Sequence, residues 1–551
     1  MRQLLLLTGL ALGCADKGGL VSDVVAIRID PETKTLYTSE DDPAEHQFAA
    51  IATFKDGSQR EIDLVSWSLS NLSVGEIESD GFFTSVDTNG GVTQIFAQHV
   101  GVEAIADVDV IYQSHELTEG VDEAVVDAFE DANATPDIYI EIIYPFDGVM
   151  VPRNLEGLGF KWYQADGHNV HRLRLRSEIT DLSVYLGDDN SWIATADLWK
   201  KVAAANRDGS IEVYMESGVW DGSTLSDVRR GGSIELTVNR LDARGSVLYW
   251  GTSEGAVMRI PFGETDASRF WPLVDDVTSC LGCHVINEER DRMVVGYGGF
   301  DGMWEVVNVE DDTDPYTEIG PRTDHRLTFK TVSPSGEYML GTNEGIVYVY
   351  DLTDGRLLDE LDMGDPISQP DWSPDGDSIV MVRVQWGFMT DMNFEGGEII
   401  KVPWEDGELG DPEVLLASSS TYNYYYPAWS PDGEWLAYNK TTGSSYANLN
   451  AELWLMDKNG DYNIYLANAN GSDGRMNSYP RWGPLPDDEV LWLAYSSRQE
   501  YPLSGQFQPQ IFVSGIDTAR ARSGEDPSYA PFWLPGQTAN SDNHLPVWWS
   551  K

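Results

Sequence analysis

The residues of this chain that could carry chemistry lie in one short run, Cys280-Leu281-Gly282-Cys283-His284. Two residues separate the two thiols, and the imidazole follows the second thiol directly. Thiols at this spacing can both reach the edge of one porphyrin, and an adjacent imidazole can then ligate its iron. The same thiols can instead form a strained disulfide. A zinc site is a third interpretation, although the sequence shows no obvious set of further Cys or His ligands.

This run resembles the c-type haem attachment motif. The resemblance implies one covalent haem c on Cys280 and Cys283, with His284 as an axial iron ligand and a role in electron transfer or haem-based redox chemistry. The sixth ligand is not assigned, because Met293 fits a core strand and His325 fits a polar surface loop. The alternative is a non-enzymatic binding scaffold in which the two cysteines form a disulfide.

The sequence offers no organised nucleophile, base and acid, so we name no catalytic residues. Whether the chain is an enzyme is left open, and a classical enzyme is not favoured. If it is one, the haem motif indicates a haem-dependent oxidoreductase.

The first thirteen residues have the pattern of an export signal, with Arg2 followed by the apolar Leu4 to Leu7 and then by small residues. The run Leu10-Ala11-Leu12-Gly13-Cys14 resembles a bacterial lipobox. This resemblance implies cleavage before Cys14 and a lipid anchor on its thiol, with 14–23 as a tether. We therefore expect a cell-envelope protein, lipid-anchored in the outer membrane and facing either the periplasm or the cell surface.

The composition excludes some partners. The formal net charge is −55, which repels nucleic acid. After the leader, no apolar stretch approaches the roughly 20 residues that a membrane helix needs. With 551 residues, the chain is long enough for three or four domains of about 150 residues each.

Residues 24–112 alternate apolar and polar side chains in short runs that Gly, Asp and Asn interrupt, the pattern of a small antiparallel sandwich. Ala52-Thr53-Phe54-Lys55-Asp56-Gly57-Ser58 predicts a hairpin turn, and Val65-Ser66-Trp67-Ser68-Leu69-Ser70-Asn71 a core strand that carries a tryptophan. Together these segments resemble the bacterial Ig-like group 2 domain. Members of that family are spacers and adhesive modules of surface proteins.

Two further segments follow the first module. Residues 113–137 are rich in Glu and Asp and end at Thr135-Pro136, which indicates a solvated acidic linker with at most one short helix. Residues 138–244 contain alternating runs such as His171-Arg172-Leu173-Arg174-Leu175, which favour a second β-sandwich.

Residues 245–551 contain an internal repeat. Pro370-Asp371-Trp372-Ser373-Pro374-Asp375-Gly376 recurs as Pro427-Ala428-Trp429-Ser430-Pro431-Asp432-Gly433, with weaker copies at Ser333 and Trp482. Ser-Pro-Asp-Gly forms a tight turn, and the spacings of 40, 57 and 53 residues between copies are close to the roughly 40 to 50 residues of a propeller blade. The repeat resembles those of TolB-like β-propellers.

The end of the chain completes this interpretation. Pro546-Val547-Trp548-Trp549-Ser550 reads as the first strand of a blade whose other strands begin at Ser246. Joining the two ends closes a ring of six blades and hides the edge strands. The predicted fold class is therefore all-β: an Ig-like sandwich, a second sandwich and a C-terminal six-bladed propeller.

The haem motif lies on the approach to a blade turn, and a propeller face is the expected site for a protein or glycan partner.

Overall fold

The computed structural model describes residues 23–271, 281–287, 292–297, 304–309, 326–405, 407–471, 476–484, 490–503 and 508–551, apart from the side chains of 281–283, 297 and 308. The described chain is almost wholly β-structure, as predicted. It divides into two compact units, one ending at Gln113 and the other beginning at Ser114.

The first unit is built from short antiparallel strands with one parallel pairing. Its strands are β1 Val24–Asp30, β2 Thr33–Thr38, β3 Glu45–Gln47, β4 Ala49–Phe54, β5 Gln59–Glu61, β6 Ser66–Leu69, β7 Gly75–Ile77, β8 Phe82–Ser85, β9 Gly91–His99 and β10 Val102–Leu117. The sheets are β1-β4-β5, β3-β8-β7, and a set in which β9 pairs with β6 and β10 and in which β2 runs parallel to β10.

Alternation along these strands produces the core of the first unit. The inward residues of β9 and β10 include Ile95, Ala97, Val108 and Val110, which are fully buried together with Phe48, while their neighbours are exposed. The predicted hairpin turn is present between β4 and β5. The sandwich expected here is therefore confirmed as architecture, and its Ig-like family remains a prediction from the sequence.

The second unit begins with the other sandwich. Its elements are α1 Ala124–Glu130, β11 Thr135–Pro136, β12 Glu141–Tyr144, β13 Val149–Val151, β14 Gly159–Tyr163, β15 Val170–Arg176, β16 Thr180–Leu186, β17 Ser191–Ile193, α2 Ala196–Ala205, β18 Ser210–Trp220 and β19 Leu225–Val238. One sheet has the order β11-β19-β18-β15-β16, with β13 beside β19, and the other has the order β12-β14-β17.

The acidic segment 113–137 contains one short helix, as its sequence allowed. The helix α1 packs onto the second sandwich through Val125 and Phe129, which are buried against Tyr185. Arg172 fixes the helix from the sheet, since its Nη1 lies 2.7 Å from Glu130 Oε1. The four-residue spacing of Val125 and Phe129 places both on one face of the helix. The acidic residues around them lie towards solvent.

The remainder of the second unit is the propeller. In chain order its elements are β20 Ser246–Gly251, β21 Ala256–Pro261, β22 Ser268–Trp271, β23 Leu281–Asn287, β24 Arg292–Tyr297, β25 Trp304–Asn308, β26 Phe329–Val332, β27 Tyr338–Asn343, β28 Ile346–Asp351, β29 Arg356–Leu361, β30 Ile367–Trp372, β31 Ser378–Thr390, β32 Asn393–Glu405, β33 Glu408–Leu409, β34 Glu413–Leu416, β35 Asn423–Trp429, β36 Trp435–Thr441, β37 Glu452–Asp457, β38 Asn463–Tyr465, α3 Ala467–Asn470, β39 Ser478–Trp482, β40 Val490–Ser497, β41 Gln510–Asp517, α4 Thr518–Ser523, β42 Phe532–Trp533 and β43 Asn543–Trp549.

Six sheets make up the ring within the described residues. Blade 1 is β43-β20-β21-β22, blade 2 is β23-β24-β25, blade 3 is β26-β27-β28-β29, blade 4 is β30-β31-β32-β34 with β33, blade 5 is β35-β36-β37-β38 and blade 6 is β39-β40-β41-β42. The innermost strands contact one another in cyclic order, from β23 through β26, β30, β35 and β39 to β43 and back to β23.

The predicted ring closure is present. The last strand, β43, pairs antiparallel with β20, and Trp549 lies opposite Ser246 while Trp548 lies opposite Val247. Blade 1 thus joins the two ends of the propeller segment in one sheet. Apolar clusters fill the spaces between neighbouring blades. One of them joins Leu248 and Trp549 of blade 1 to Met293 and Val295 of blade 2.

The repeated Ser-Pro-Asp-Gly segments form the predicted turns between the first and second strands of blades. In blade 4, Ser373 Oγ lies 2.6 Å from Asp375 Oδ1 and accepts a 3.0 Å hydrogen bond from the Ser378 backbone N–H. Gly376 ends the turn at φ +83°, a conformation that favours glycine. Blade 5 repeats these contacts around Ser430.

No helix of the described residues is both long enough and apolar enough to cross a membrane.

Truncating Trp549 should destabilise the propeller through its closing strand. Its ring is almost completely buried, and its centroid lies 5.2 Å from that of Phe270. Trp549→Ala should therefore cost about 3–5 kcal/mol and lower the Tm measured by thermal unfolding. Trp386→Ala is the matched control, because that ring is 43% exposed. Equal losses of Tm in the two variants would contradict the role of β43 in closing the ring.

Candidate functional site

A funnel opens on the propeller axis at the face that carries the Ser-Pro-Asp-Gly turns. Its cavity of about 350 Å³ falls in the size range of ligand sites. One residue from the inner strand of each blade lines it, two positions before the start of the turn. In order of blades 1 to 6 these residues are Val547, Val285, Thr331, Asp371, Ala428 and Arg481.

Hydrogen bonds between blades hold this ring of residues in place. The backbone N–H of Trp372 donates to Thr331 Oγ1 at 3.0 Å, and the backbone N–H of Trp429 donates to Asp371 Oδ2 at 2.8 Å. Each bond joins a blade to the one before it. The funnel floor is therefore built from the same contacts that hold the blades together.

Asp371 and Arg481 bring opposite charges to the funnel. Arg481 Nη1 lies 4.0 Å from Asp371 Oδ1, and the side chains are 28% and 21% exposed, respectively. Burial raises the pKa of Asp371 above its ordinary value, while the Arg481 charge and the bond from Trp429 oppose that rise. Both side chains are accessible enough to contact a bound group.

Below the funnel the inner strands share a bulge. Gln369, Tyr426, Tyr479 and Leu545 have positive φ, and each precedes a proline. A proline has no N–H to donate, so the pairing with the second strand shifts at this point in each of these blades. In blade 2 the pairing shifts between Gly282 and Val285. In blade 2, Cys283 thus occupies the strand position of the residue with positive φ in four other blades, and His284 occupies the position of the proline.

His284 lies at this level, in a second cavity of about 30 Å³. The residue is 3% exposed. Burial lowers the pKa of His284 to about 4. A hydrogen bond with the Leu248 backbone opposes this shift, and the charges of Lys330 and Arg481 add to it. The imidazole is therefore neutral at pH 7.

The described surroundings of His284 do not fit a haem. A cavity of about 30 Å³ holds roughly one water molecule. Phe329, Tyr426, Tyr479 and Leu545 are among the described residues that line it.

The other residues predicted from the sequence are only partly described. Cys14 and Cys280 lie outside the described residues, as does His325, and Cys283 is described without its side chain. Their proposed lipidation and haem attachment remain predictions. Met293 is fully buried in the cluster between blades 1 and 2, so it packs in the core as its strand pattern indicated.

A cavity of about 1060 Å³ lies between the second sandwich and the propeller. Trp192 and Ile193 line it from the sandwich, and Tyr501 and Trp533 from the propeller, where the latter two rings stack at 4.0 Å. Among its described lining residues Glu156 carries the only carboxylate, and it forms an ion pair with Lys200 at 3.2 Å. The cleft brings no acid and base together.

A Ser-His-Asp arrangement occurs in the second sandwich, but its serine and histidine are buried. His168 Nδ1 lies 2.7 Å from Ser217 Oγ, and His168 Nε2 lies 3.4 Å from Asp227 Oδ2. Ser217 is fully buried, and Arg229 binds Asp227 at 2.8 Å. A substrate cannot reach this serine, so we interpret the group as a structural hydrogen-bond network.

Comparison with known proteins identifies no family for the chain. No family model matches it, and no curated protein matches it. Solved structures that resemble it include TolB from Acinetobacter baumannii, at 13% identity and a TM-score of 0.40, with 62% of this chain and 80% of that chain covered.

Two further structures are similar at the same low level. A putative TolB from Agrobacterium tumefaciens has 13% identity and a TM-score of 0.32, with 55% of this chain and 98% of that chain covered. The dihydro-heme d1 dehydrogenase NirN has 13% identity and a TM-score of 0.31, with 53% of this chain and 54% of that chain covered. The propeller assignment rests on the six sheets described above.

Acid should destabilise the second sandwich through His171. Burial and, secondarily, the charge of His168 lower the pKa of His171 from 6.5 to about 4. Between these pH values the unfolded chain binds a proton that the folded chain does not bind, so stability falls as the pH falls. The loss from this residue is about 3 kcal/mol by pH 4.

The measurement is chemical denaturation of wild type and His171→Leu at a series of pH values from 7 to 4. The variant should lose less stability on acidification. His115→Leu is the control, because the His115 side chain is 44% exposed and the steep dependence should persist. If His171→Leu has the same pH dependence as wild type, burial of a neutral His171 does not contribute to it.

Proposed function

We propose that the chain is an exported binding protein, anchored to the cell envelope by lipid on Cys14, whose propeller funnel receives a polypeptide segment of a partner. The observation that carries this proposal is the funnel itself, an open cavity to which every blade contributes a residue. The absence of an assembled acid, base and nucleophile among the described residues of the two large cavities favours binding over catalysis.

The funnel walls favour a polypeptide over a glycan. Proteins often bind sugars by stacking them on open aromatic faces, but Trp372, Trp429 and Trp482 are each less than a tenth exposed. Proline residues of the turns and apolar side chains form most of the remaining wall. A cavity of about 350 Å³ is large enough for a few amino-acid side chains.

The charges in the funnel would select what enters. Arg481 offers guanidinium donors to a carboxylate or a carbonyl oxygen, and Asp371 offers an acceptor to a donor group. The chain as a whole carries a net charge of −55. A basic partner would therefore be attracted at long range, while the funnel itself would determine which segment fits.

Photo-crosslinking in the intact envelope tests this proposal. A photoreactive amino acid at Pro374, which is exposed in a turn at the funnel rim, should give a discrete protein adduct. The same group at Tyr446 is the matched control. Tyr446 is 45% exposed in the loop between β36 and β37, at the opposite end of the blade from the turns. Adducts of equal yield at both positions, or none at Pro374, would overturn the proposal.

Covalent haem on Cys280 and Cys283 is the competing function, and it rests on the sequence motif. The cavity at His284 does not fit the macrocycle, so we assign no redox step to the chain. The binding proposal instead leaves the two cysteines as a disulfide.

One preparation distinguishes these two functions. Protein exported from a host that can mature c-type cytochromes should show no Soret band, one reducible disulfide and an intact mass with lipid but without haem. Cys280→Ser should retain the adduct formed from Pro374. A Soret band together with the mass of one covalent haem would show that the motif carries haem. It would contradict the small cavity described at His284.

A further inference from the structure

The small sheet of the second sandwich ends in an edge strand that lines the cleft towards the propeller. Its order is β12-β14-β17, and no described strand pairs with the outer side of β17. On the inner side, the Trp162 N–H donates to the Asn190 carbonyl at 3.2 Å, and the Ala194 N–H donates to the Leu158 carbonyl at 2.9 Å. Because backbone groups alternate between the two sides of an antiparallel strand, every second residue of β17 turns its N–H and carbonyl away from β14.

Ser191 and Ile193 are the residues whose backbone groups turn away. Both line the cleft, and Ile193 is 57% exposed. Among the described residues, none pairs with their backbone groups on the cleft side. Two donors and two acceptors therefore face the cleft at the spacing of a β-strand, and an unpaired edge of this kind is a template for another strand.

The propeller supplies an apolar surface on one side of this edge. Tyr501 and Leu503 pack against β14 at Gly159, where a methyl group would lie 2.6 Å from Leu503 Cδ2. Ile193 lies opposite Gly159 in the sheet, so its side chain is on the face that the propeller covers. Trp533 lines the same cleft and stacks on Tyr501 at 4.0 Å. The cleft is thus bounded by an unpaired strand edge and by an aromatic surface.

The size and charge of the cleft limit its ligand. A volume of about 1060 Å³ lies at the upper end of the range for ligand sites and is large enough for several residues of an extended chain. Small side chains leave the backbone accessible; they belong to Gly157, Ala194, Ala196, Gly536 and Ala539. Glu156 is the one charged residue of the described lining, and it already pairs with Lys200 at 3.2 Å. The cleft therefore offers backbone hydrogen bonds and apolar contacts, and it does not select a charged group.

We propose that this cleft binds an extended segment of a partner polypeptide, which adds a fourth strand to the sheet beside β17. The segment exchanges backbone hydrogen bonds with Ser191 and Ile193. Its alternate side chains are apolar and pack towards Tyr501 and Trp533, because successive side chains of a strand point to opposite faces. This site is separate from the funnel, and the inference does not depend on the partner proposed there.

Hydrogen exchange on the full-length wild-type protein tests the added strand. The probes are acetylated and amidated hexapeptides in which valine, leucine or phenylalanine alternates with threonine. At least one of them should bind and should slow the exchange of the Ser191 and Ile193 amides about tenfold or more, because each amide gains an acceptor. The measurement is mass spectrometry with fragmentation that resolves single residues. Binding by none of the three probes, or slowing confined to other parts of the chain, would refute the proposal.

A proline at the edge tests the backbone pairing from the side of the protein. Ile193→Pro removes the N–H that faces the cleft and leaves the hydrogen bonds to β14 in place. The Kd of the bound probe should rise about tenfold or more, since a hydrogen bond is lost and the ring obstructs the edge.

Ile193→Thr is the matched control, because it keeps the N–H and a β-branched side chain, and its Kd should stay within about threefold of wild type. Equal Kd values for the two variants would contradict pairing at this edge. The exchange experiment uses the wild-type chain, so it decides the question if Ile193→Pro does not fold.

Discussion

The pairing of the last strand with β20 is the constraint on which the propeller depends. Each blade is a small twisted sheet whose two faces must be covered by its neighbours, as the cluster of Leu248, Met293 and Trp549 shows between blades 1 and 2. An open arc would leave one apolar face and the edge of β20 in water. Because β43 joins blade 1 from the far end of the chain, both faces are covered and the six inner strands surround a common axis.

Closure explains how a repeated architecture produces a site with individual chemistry. The position two residues before each turn has the same backbone environment in every blade, but its side chain differs, and among the six only Asp371 and Arg481 are charged. Their neighbours in the ring are apolar or, as Thr331, committed to a hydrogen bond between blades. The charged pair thus gives the funnel its individual chemistry, while Asp371 also accepts a hydrogen bond from Trp429 of the next blade.

The sequence was sufficient to predict the blades but not the cavity around His284 on the propeller axis. Ser-Pro-Asp-Gly is a local signal whose hydrogen bonds lie within a few residues, so the turns and the closing strand could be predicted. The position of His284 depends on a bulge that recurs across four strands distant in sequence, each with a residue of positive φ before proline. Aligning Pro370, Pro427, Pro480 and Pro546 with His284 would have placed the imidazole on the axis. The packing of helix α1 was not predicted for a different reason, since acidic composition concealed the spacing of Val125 and Phe129.

Charges on the exterior of the molecule and charges on its axis differ in how strongly salt screens them. A net charge of −55 keeps the surface hydrated, and salt screens it over about 8–10 Å. The cavity on the axis is much less screened, because protein surrounds it, so the potential there depends on the few groups that line it. Among the described groups on the axis, the cationic Arg481 lies 4.0 Å from the carboxylate of Asp371. This pair of opposite charges therefore sets the local field in the funnel, whereas the acidic surface acts on a ligand before it enters.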